Sequence, residues 1–223
     1  MIKYILWDND GVLVDTEKYY YRAIREVMRD CGVTITEEQY RQNLLVHSRG
    51  LWHLLEDRGY SGEEISGFRK RRDFLYLKYI ETEDIAVPGA AEALEVLQGR
   101  YKMSIVTSSQ RGHFEAIHRR TGFLRYMEFA LTKGDYAKSK PDPAPYLTAL
   151  RKMNAPANET VVIEDSLRGL ESAVGAGLRC IVIPTALTAT QDFSRATMVL
   201  DSVNKVGEAI KEIQAVLESG GSV

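Results

Sequence analysis

Tyr4-Ile5-Leu6-Trp7-Asp8-Asn9-Asp10-Gly11 decides the architecture: a short apolar run that stops on two acids and a glycine. The run is far too short for a signal h-region or a membrane span and reads as a buried first strand. Three later runs share its character, namely Met103-Ser104-Ile105-Val106, Thr160-Val161-Val162-Ile163 and Arg179-Cys180-Ile181-Val182-Ile183. Each is β-branched and apolar on both faces, as a parallel strand covered by helices must be. Phe129-Ala130-Leu131 and Met198-Val199-Leu200 are candidates for two further short strands.

Helical patterns fill the intervals: Ala90 to Gln98, Gly112 to Arg120, Ala144 to Met153, Leu167 to Ala176, and a closing helix from Val203 to Leu217. Gly99, Gly122 and Gly177 fall just past three of them, where a C-terminal stop belongs. Strand and helix alternate, which predicts an α/β fold with a doubly wound parallel sheet. Residues 16–87 break the rhythm, with amphipathic patterns over Lys18 to Cys31, Thr36 to Leu45, Gly50 to Arg58 and Ser61 to Ile80. They are expected to form a separate helical domain inserted after the first strand, residues 1–15 and 88–223 making the α/β core. Two crossings of that boundary would permit a hinge.

The composition agrees with a globular protein. The 223 residues are 44% hydrophobic and 27% charged, and a chain of this size buries roughly 70% of its unfolded surface without staples. Net charge is 29 − 31 = −2. The one dense basic run, Arg69-Lys70-Arg71-Arg72, lies within a helical pattern, so nucleic acid is not an expected partner. Cys31 and Cys180 lie in no metal-binding spacing and are too few for a disulfide framework, which predicts a reducing, cytoplasmic setting. Neither a membrane nor an obligatory protein partner is indicated.

In a doubly wound sheet, ligands bind beyond the carboxyl ends of the strands. There the sequence carries Asp8-Asn9-Asp10-Gly11, Thr107-Ser108-Ser109 and Glu164-Asp165-Ser166, and a further loop carries Ser139-Lys140-Pro141-Asp142-Pro143. Asp8 and Asp10 are two apart and share one side of an extended chain, and Gly11 allows a sharp turn. Carboxylates crowded in this way call for a hard divalent cation with oxygen ligands, Mg²⁺ being the natural choice.

These segments, in this order, resemble the four motifs of the haloacid dehalogenase superfamily, and the insert resembles the small helical cap of its phosphatase and β-phosphoglucomutase branch. The resemblance covers Tyr4 to Ile183. It implies phosphoryl transfer through an aspartyl-phosphate: Asp8 as nucleophile, Asp10 as general acid and base, Thr107 as donor to the phosphoryl group, and Lys140 as its countercharge. It further implies Mg²⁺ on Asp8, the Asp10 carbonyl and Asp165, with Glu164 acting through water. Substrate contacts would come from Gly11, Ser108, Ser109 and Arg111, and from Arg49 in the insert. The expected substrate is a small phosphorylated metabolite.

Three departures separate the chain from the mutase pattern. Tyr20 stands where the mutase has a His, Val46 where that branch usually has Gly, and Arg111 one position beyond the mutase's Lys. They favour a phosphatase, with a mutase as the alternative and a capped metal- or phosphate-binding module as the non-enzymatic one. A dehalogenase would not need Asp10. A phosphonate hydrolase would need a cap Lys, and Lys70 and Lys78 have no recognisable context. A receiver domain would be half this length and lack the insert. Elsewhere the bland readings stand: His47, His53, His113 and His118 as surface or packing residues, Tyr19-Tyr20-Tyr21 as cap core, Arg72 as solvated helix face, and Glu164-Asp165-Ser166 also as a helix N-cap set.

Overall fold

The structure, a computed structural model, describes residues 1–46 and 50–221. The chain divides into two compact units, Met1–Asp15 with Ile85–Val223, and Thr16–Asp84. Residues 85–87 lie with the first unit, where the sequence pattern put them in the insert. The backbone explains this: Asp15 N–H donates to the Ile85 carbonyl at 2.8 Å and Val87 N–H to the Leu13 carbonyl at 3.1 Å.

The first unit is an α/β fold around a six-stranded sheet. Its strands are β1 (Tyr4–Trp7), β2 (Lys102–Val106), β3 (Ala130–Leu131), β4 (Thr160–Glu164), β5 (Arg179–Val182) and β6 (Met198–Val199). Their order is β3-β2-β1-β4-β5-β6, with every pair parallel. β1 is central because Ile5, Leu6 and Trp7 are all fully buried, so both its faces must be covered. From β1 the chain winds outward through β2 and β3, then returns to build β4, β5 and β6 on the other side. The switch point lies between β1 and β4.

Register then aligns the strand ends. Trp7 pairs with Ile105 on one side and Ile163 on the other. Asp8, Thr107 and Glu164-Asp165 therefore leave the sheet at nearly one level. On one face, Tyr146, Ala149 and Leu150 of a helix at Ala144–Met153 pack with Leu170 and Ala173 of a helix at Leu167–Gly175, over Leu6, Val162 and Cys180.

The second unit is helical. Its α1 (Glu17–Asp30) buries Tyr19, Ala23, Ile24, Val27 and Met28, one stripe of an amphipathic helix. Where the pattern predicts an unbroken helix from Thr36 to Leu45, the structure has a four-residue α2 (Glu37–Tyr40), capped by a reciprocal Thr36–Gln39 box, running into a π-helical turn at Arg41–Val46. The next pattern shrinks to α3 (His53–Glu56), and α4 (Gly62–Thr82) starts on a second capping box, Ser61 with Glu64. The α-helices of the first unit, among the described residues, are α5 (Ala90–Leu97), α6 (Arg111–Thr121), α7 (Ala144–Met153), α8 (Leu167–Gly175) and α9 (Val206–Glu218). Among the described residues, no helix is long and apolar enough to cross a membrane.

Candidate active site

Lys140 is the centre of the site. Its side chain is buried, and Nζ donates to Asp8 Oδ1 at 2.6 Å, to Glu164 Oε1 at 2.7 Å and to the Val106 carbonyl at 2.8 Å. Three good acceptors satisfy all three ammonium protons. The lysine is carried by the loop before α7. Arg168 of α8 donates to its carbonyl at 2.5 Å, and Ser172 donates to the Asp142 carbonyl at 2.6 Å, so the loop is tied to the next helix.

Glu164 is fully buried and accepts from four groups. Besides Lys140 these are the Tyr146 hydroxyl at 2.7 Å, the Asp165 N–H at 3.1 Å and the Ser166 hydroxyl at 3.2 Å. A Cβ on Gly169 would lie 1.8 Å from the Glu164 carboxyl carbon, so that glycine makes room for the acid. The N-cap of α8 is Ser166, whose side chain accepts from Gly169 N–H at 3.3 Å. Asp165, which the sequence pattern allowed as a cap, is not the capping residue, because Ser166 is the one beside the first turn.

Two carboxylates against one ammonium leave an excess negative charge. Burial pulls the Lys140 ammonium down, but Asp8 and Glu164 outweigh it and hold the group above the ordinary lysine range. Burial raises the Asp8 carboxyl to about 7; Lys140 opposes the shift, while Glu164 and Asp10 add to it. Oxygens of Asp8, Glu164 and Asp165 also lie within 4.8 Å of one another. Gly11, at φ +86°, brings the backbone so near that a Cβ would sit 2.3 Å from Asp165 Oδ2. An all-oxygen donor set with surplus negative charge fits a hard dication such as Mg²⁺.

Asp10 is arranged differently. Its Oδ2 accepts from Ser109 Oγ at 2.6 Å, Asn9 Nδ2 at 3.2 Å and Thr107 Oγ1 at 3.4 Å. Thr107 in turn accepts from Ser109 N–H at 3.0 Å, and Tyr136 donates to its carbonyl at 2.7 Å. Ser108, which follows Thr107 in sequence, is half-buried. Arg111 is exposed and donates twice to Asp135, at 2.7 and 2.8 Å. Arg49 lies outside the described residues.

The contacts of three groups were not foreseen from the sequence. Tyr146 and His118 are buried on helices whose inward faces can be read from the pattern, but a packed aromatic looks the same as a functional one. Arg72 is the clearest miss. Read as solvated face, it is 5% exposed and lies on the stripe of α4 that also buries Ile65, Tyr76 and Tyr79. Its guanidinium sits over the Tyr20 and Trp52 rings, donates to the Tyr20 hydroxyl and pairs with Asp73 at 2.8 Å.

A profile of haloacid dehalogenase-like hydrolases matches residues 5–183. The chain belongs to that family. It is 32% identical to Protein CbbY of Cereibacter sphaeroides over 93% of this chain and 95% of that one. It is 33% identical to a phosphorylated carbohydrates phosphatase of Thermotoga maritima, over 79% and 82%. Among solved structures, a CbbY mutant from Rhodobacter sphaeroides in complex with xylulose-(1,5)-bisphosphate superposes with a TM-score of 0.80 at 28% identity, covering 93% of this chain and 97% of that one. This member of the haloacid dehalogenase-like family is a phosphomonoester hydrolase, with a phosphatase-named relative over most of its length.

Proposed function

We propose that this protein is a Mg²⁺-dependent phosphatase of small phosphorylated carbohydrates, working through an aspartyl-phosphate on Asp8. The observation that carries the reading is the Lys140 cluster, which holds one oxygen of a buried carboxylate at 2.6 Å beside a second, separately held acid. The named substrates of the relatives supply the carbohydrate class.

Asp8 Oδ1 is occupied by Lys140, which leaves Oδ2 to attack phosphorus in line. As that bond forms, the bond from phosphorus to the ester oxygen breaks, and Asp10 gives its proton to the departing alkoxide. Asp10 then takes a proton from the water that attacks the phosphoenzyme, releasing phosphate and restoring Asp8. Thr107, the Ser108 and Ser109 segment and Gly11 would line the phosphoryl site. Lys140 offsets charge on both Asp8 and the phosphoryl oxygens, a preorganised contribution expected to dominate in this reaction type. Glu164 fixes Lys140, and Tyr146 and Ser166 fix Glu164. Asp8, the Asp10 carbonyl and Asp165 would hold Mg²⁺, with Glu164 acting through water. The bound ion would screen the anionic substrate from the anionic nucleophile.

The test is phosphate release from a panel of sugar phosphates, polyol phosphates, nucleotides and 2-phosphoglycolate, with Mg²⁺ or with EDTA, following β-glucose 1-phosphate isomerisation in the same wells. Release from a carbohydrate phosphate with Mg²⁺, its loss with EDTA and its absence in Asp8→Asn are expected. Turnover by Asp8→Asn would overturn the mechanism. Isomerisation with little release would make the protein a mutase.

A further inference from the structure

Asn9 and His118 are buried polar side chains that contact each other, and Asn9 in turn reaches Asp10. His118 lies on α6, 3% exposed, stacked on Phe114 with ring centroids 4.4 Å apart. Its Nε2 is 2.8 Å from Asn9 Oδ1, and its Nδ1 is 2.9 Å from Thr121 Oγ1. Asn9 is fully buried, and its Nδ2 donates to Asp10 Oδ2 at 3.2 Å.

The directions of these bonds are forced from one end. An amide that donates to a carboxylate through nitrogen must present its oxygen to the imidazole, so His118 Nε2 carries the hydrogen. The chain requires the hydrogen on Nε2; the ring itself is neutral because burial depresses the His118 pKa to about 4, against the pull of Asp10. In the neutral ring Nδ1 accepts, and the Thr121 hydroxyl donates to it at 2.9 Å.

We propose that His118, acting through Asn9, is a positioning residue that sets the carboxyl plane of Asp10 for proton transfer to the leaving group. Without the His118 N–H, the Asn9 Oδ1 is left buried with no side-chain donor, and the amide is held only by its bond to Asp10. The amide plane is then free to swing, and the Asp10 carboxyl with it. Small displacements of a reacting group cost rate steeply. The inference rests on the acid role assigned to Asp10 above.

Leaving-group dependence tests it, because an acid matters most when the departing oxygen is basic. Two esters of similar shape serve: phenyl phosphate, whose phenol has a tyrosine-like pKa of about 10, and 4-nitrophenyl phosphate, whose phenol is far more acidic. His118→Leu is expected to lose ~10–100-fold in kcat/KM on phenyl phosphate and under about threefold on the nitrophenyl ester. His118→Gln, which can place an N–H where Nε2 was, should recover most of the loss. Asn9→Leu should reproduce His118→Leu, and the double variant should be no worse than either single one.

Equal losses on both esters, no recovery with Gln, or additive losses in the double variant would overturn the proposal. Asn9→Leu carries the test if His118→Leu melts early. Asp10→Asn is run on the same pair of esters. If it discriminates between them and His118→Leu does not, the relay is wrong and the acid role stands. If Asp10→Asn itself does not discriminate, the acid role is what has failed.

Discussion

Lys140 in the α/β unit and Arg72 in the helical unit are both buried cations, and they are held by opposite means. Lys140 rests on two carboxylates and a carbonyl supplied by the ends of β1, β2 and β4. Arg72 rests on two aromatic faces, a phenol and one neighbouring acid, all supplied by side chains around α4. The first arrangement is fixed by backbone register and keeps two acids at close range, which packing alone would not do. The second is built for guanidinium geometry, a flat cation that stacks and donates sideways. A buried charge held by strand ends points to chemistry, whereas one held by rings is met by packing.

Removing each cation should separate the two. Lys140→Met leaves Asp8 and Glu164 buried together with no countercharge. The expected cost is about 3–5 kcal/mol in urea unfolding, with turnover falling to background in the same preparation. Full turnover in that variant would break the contrast at once. Arg72→Met keeps volume, and Asp73 is exposed enough to recover water, so the cost should be smaller, about 2 kcal/mol. Hydrogen exchange should place that loss in α1 and α4 and leave β1 and β4 protected; loss of protection in the strands would contradict it.

A third test is a pH step. His118 is neutral in the fold with a pKa of about 4, against about 6.5 unfolded. The unfolded chain therefore binds the extra proton between those values. Its contribution is complete above pH 6.5 and is lost as pH falls toward 4. From pH 7 to 5 the loss should be roughly 2 kcal/mol, measured as the part of the fall in unfolding free energy that His118→Gln abolishes. An identical fall in wild type and variant would show that the imidazole is not held neutral.

Much of the α/β unit could be read from the sequence because a strand declares itself twice, through its apolar run and through the polar residues at its end. The strand ends Asp8, Thr107 and Glu164 followed from that, and one parallel register brought them together. What supports them could be read only in part. Ser166 was legible as part of an N-cap set, whereas Tyr146 and Gly169 meet Glu164 through the packing of α7 and α8, which no local pattern specifies. The helical unit was harder. Thr36 to Leu45 has the composition of one helix, yet the chain changes to a π-helical turn at Arg41, a choice that depends on neighbours rather than propensity. Arg72 did carry a signal, its place on the same stripe as Tyr76 and Tyr79, which the charge of the Arg69-Lys70-Arg71-Arg72 run obscured.

The central place of β1 has a consequence during synthesis. Tyr4 pairs with Lys102 on one side and Thr160 on the other, 98 and 156 residues downstream. At about 5–20 residues per second, the strand bearing Asp8 waits roughly 8–30 s after leaving the ribosome before its last neighbour is made. Until then the edge that β4 will cover stays open to chaperones or to other nascent chains. A truncated product ending before Thr160 could keep the helices of residues 16–84 but could not close the pocket around Lys140.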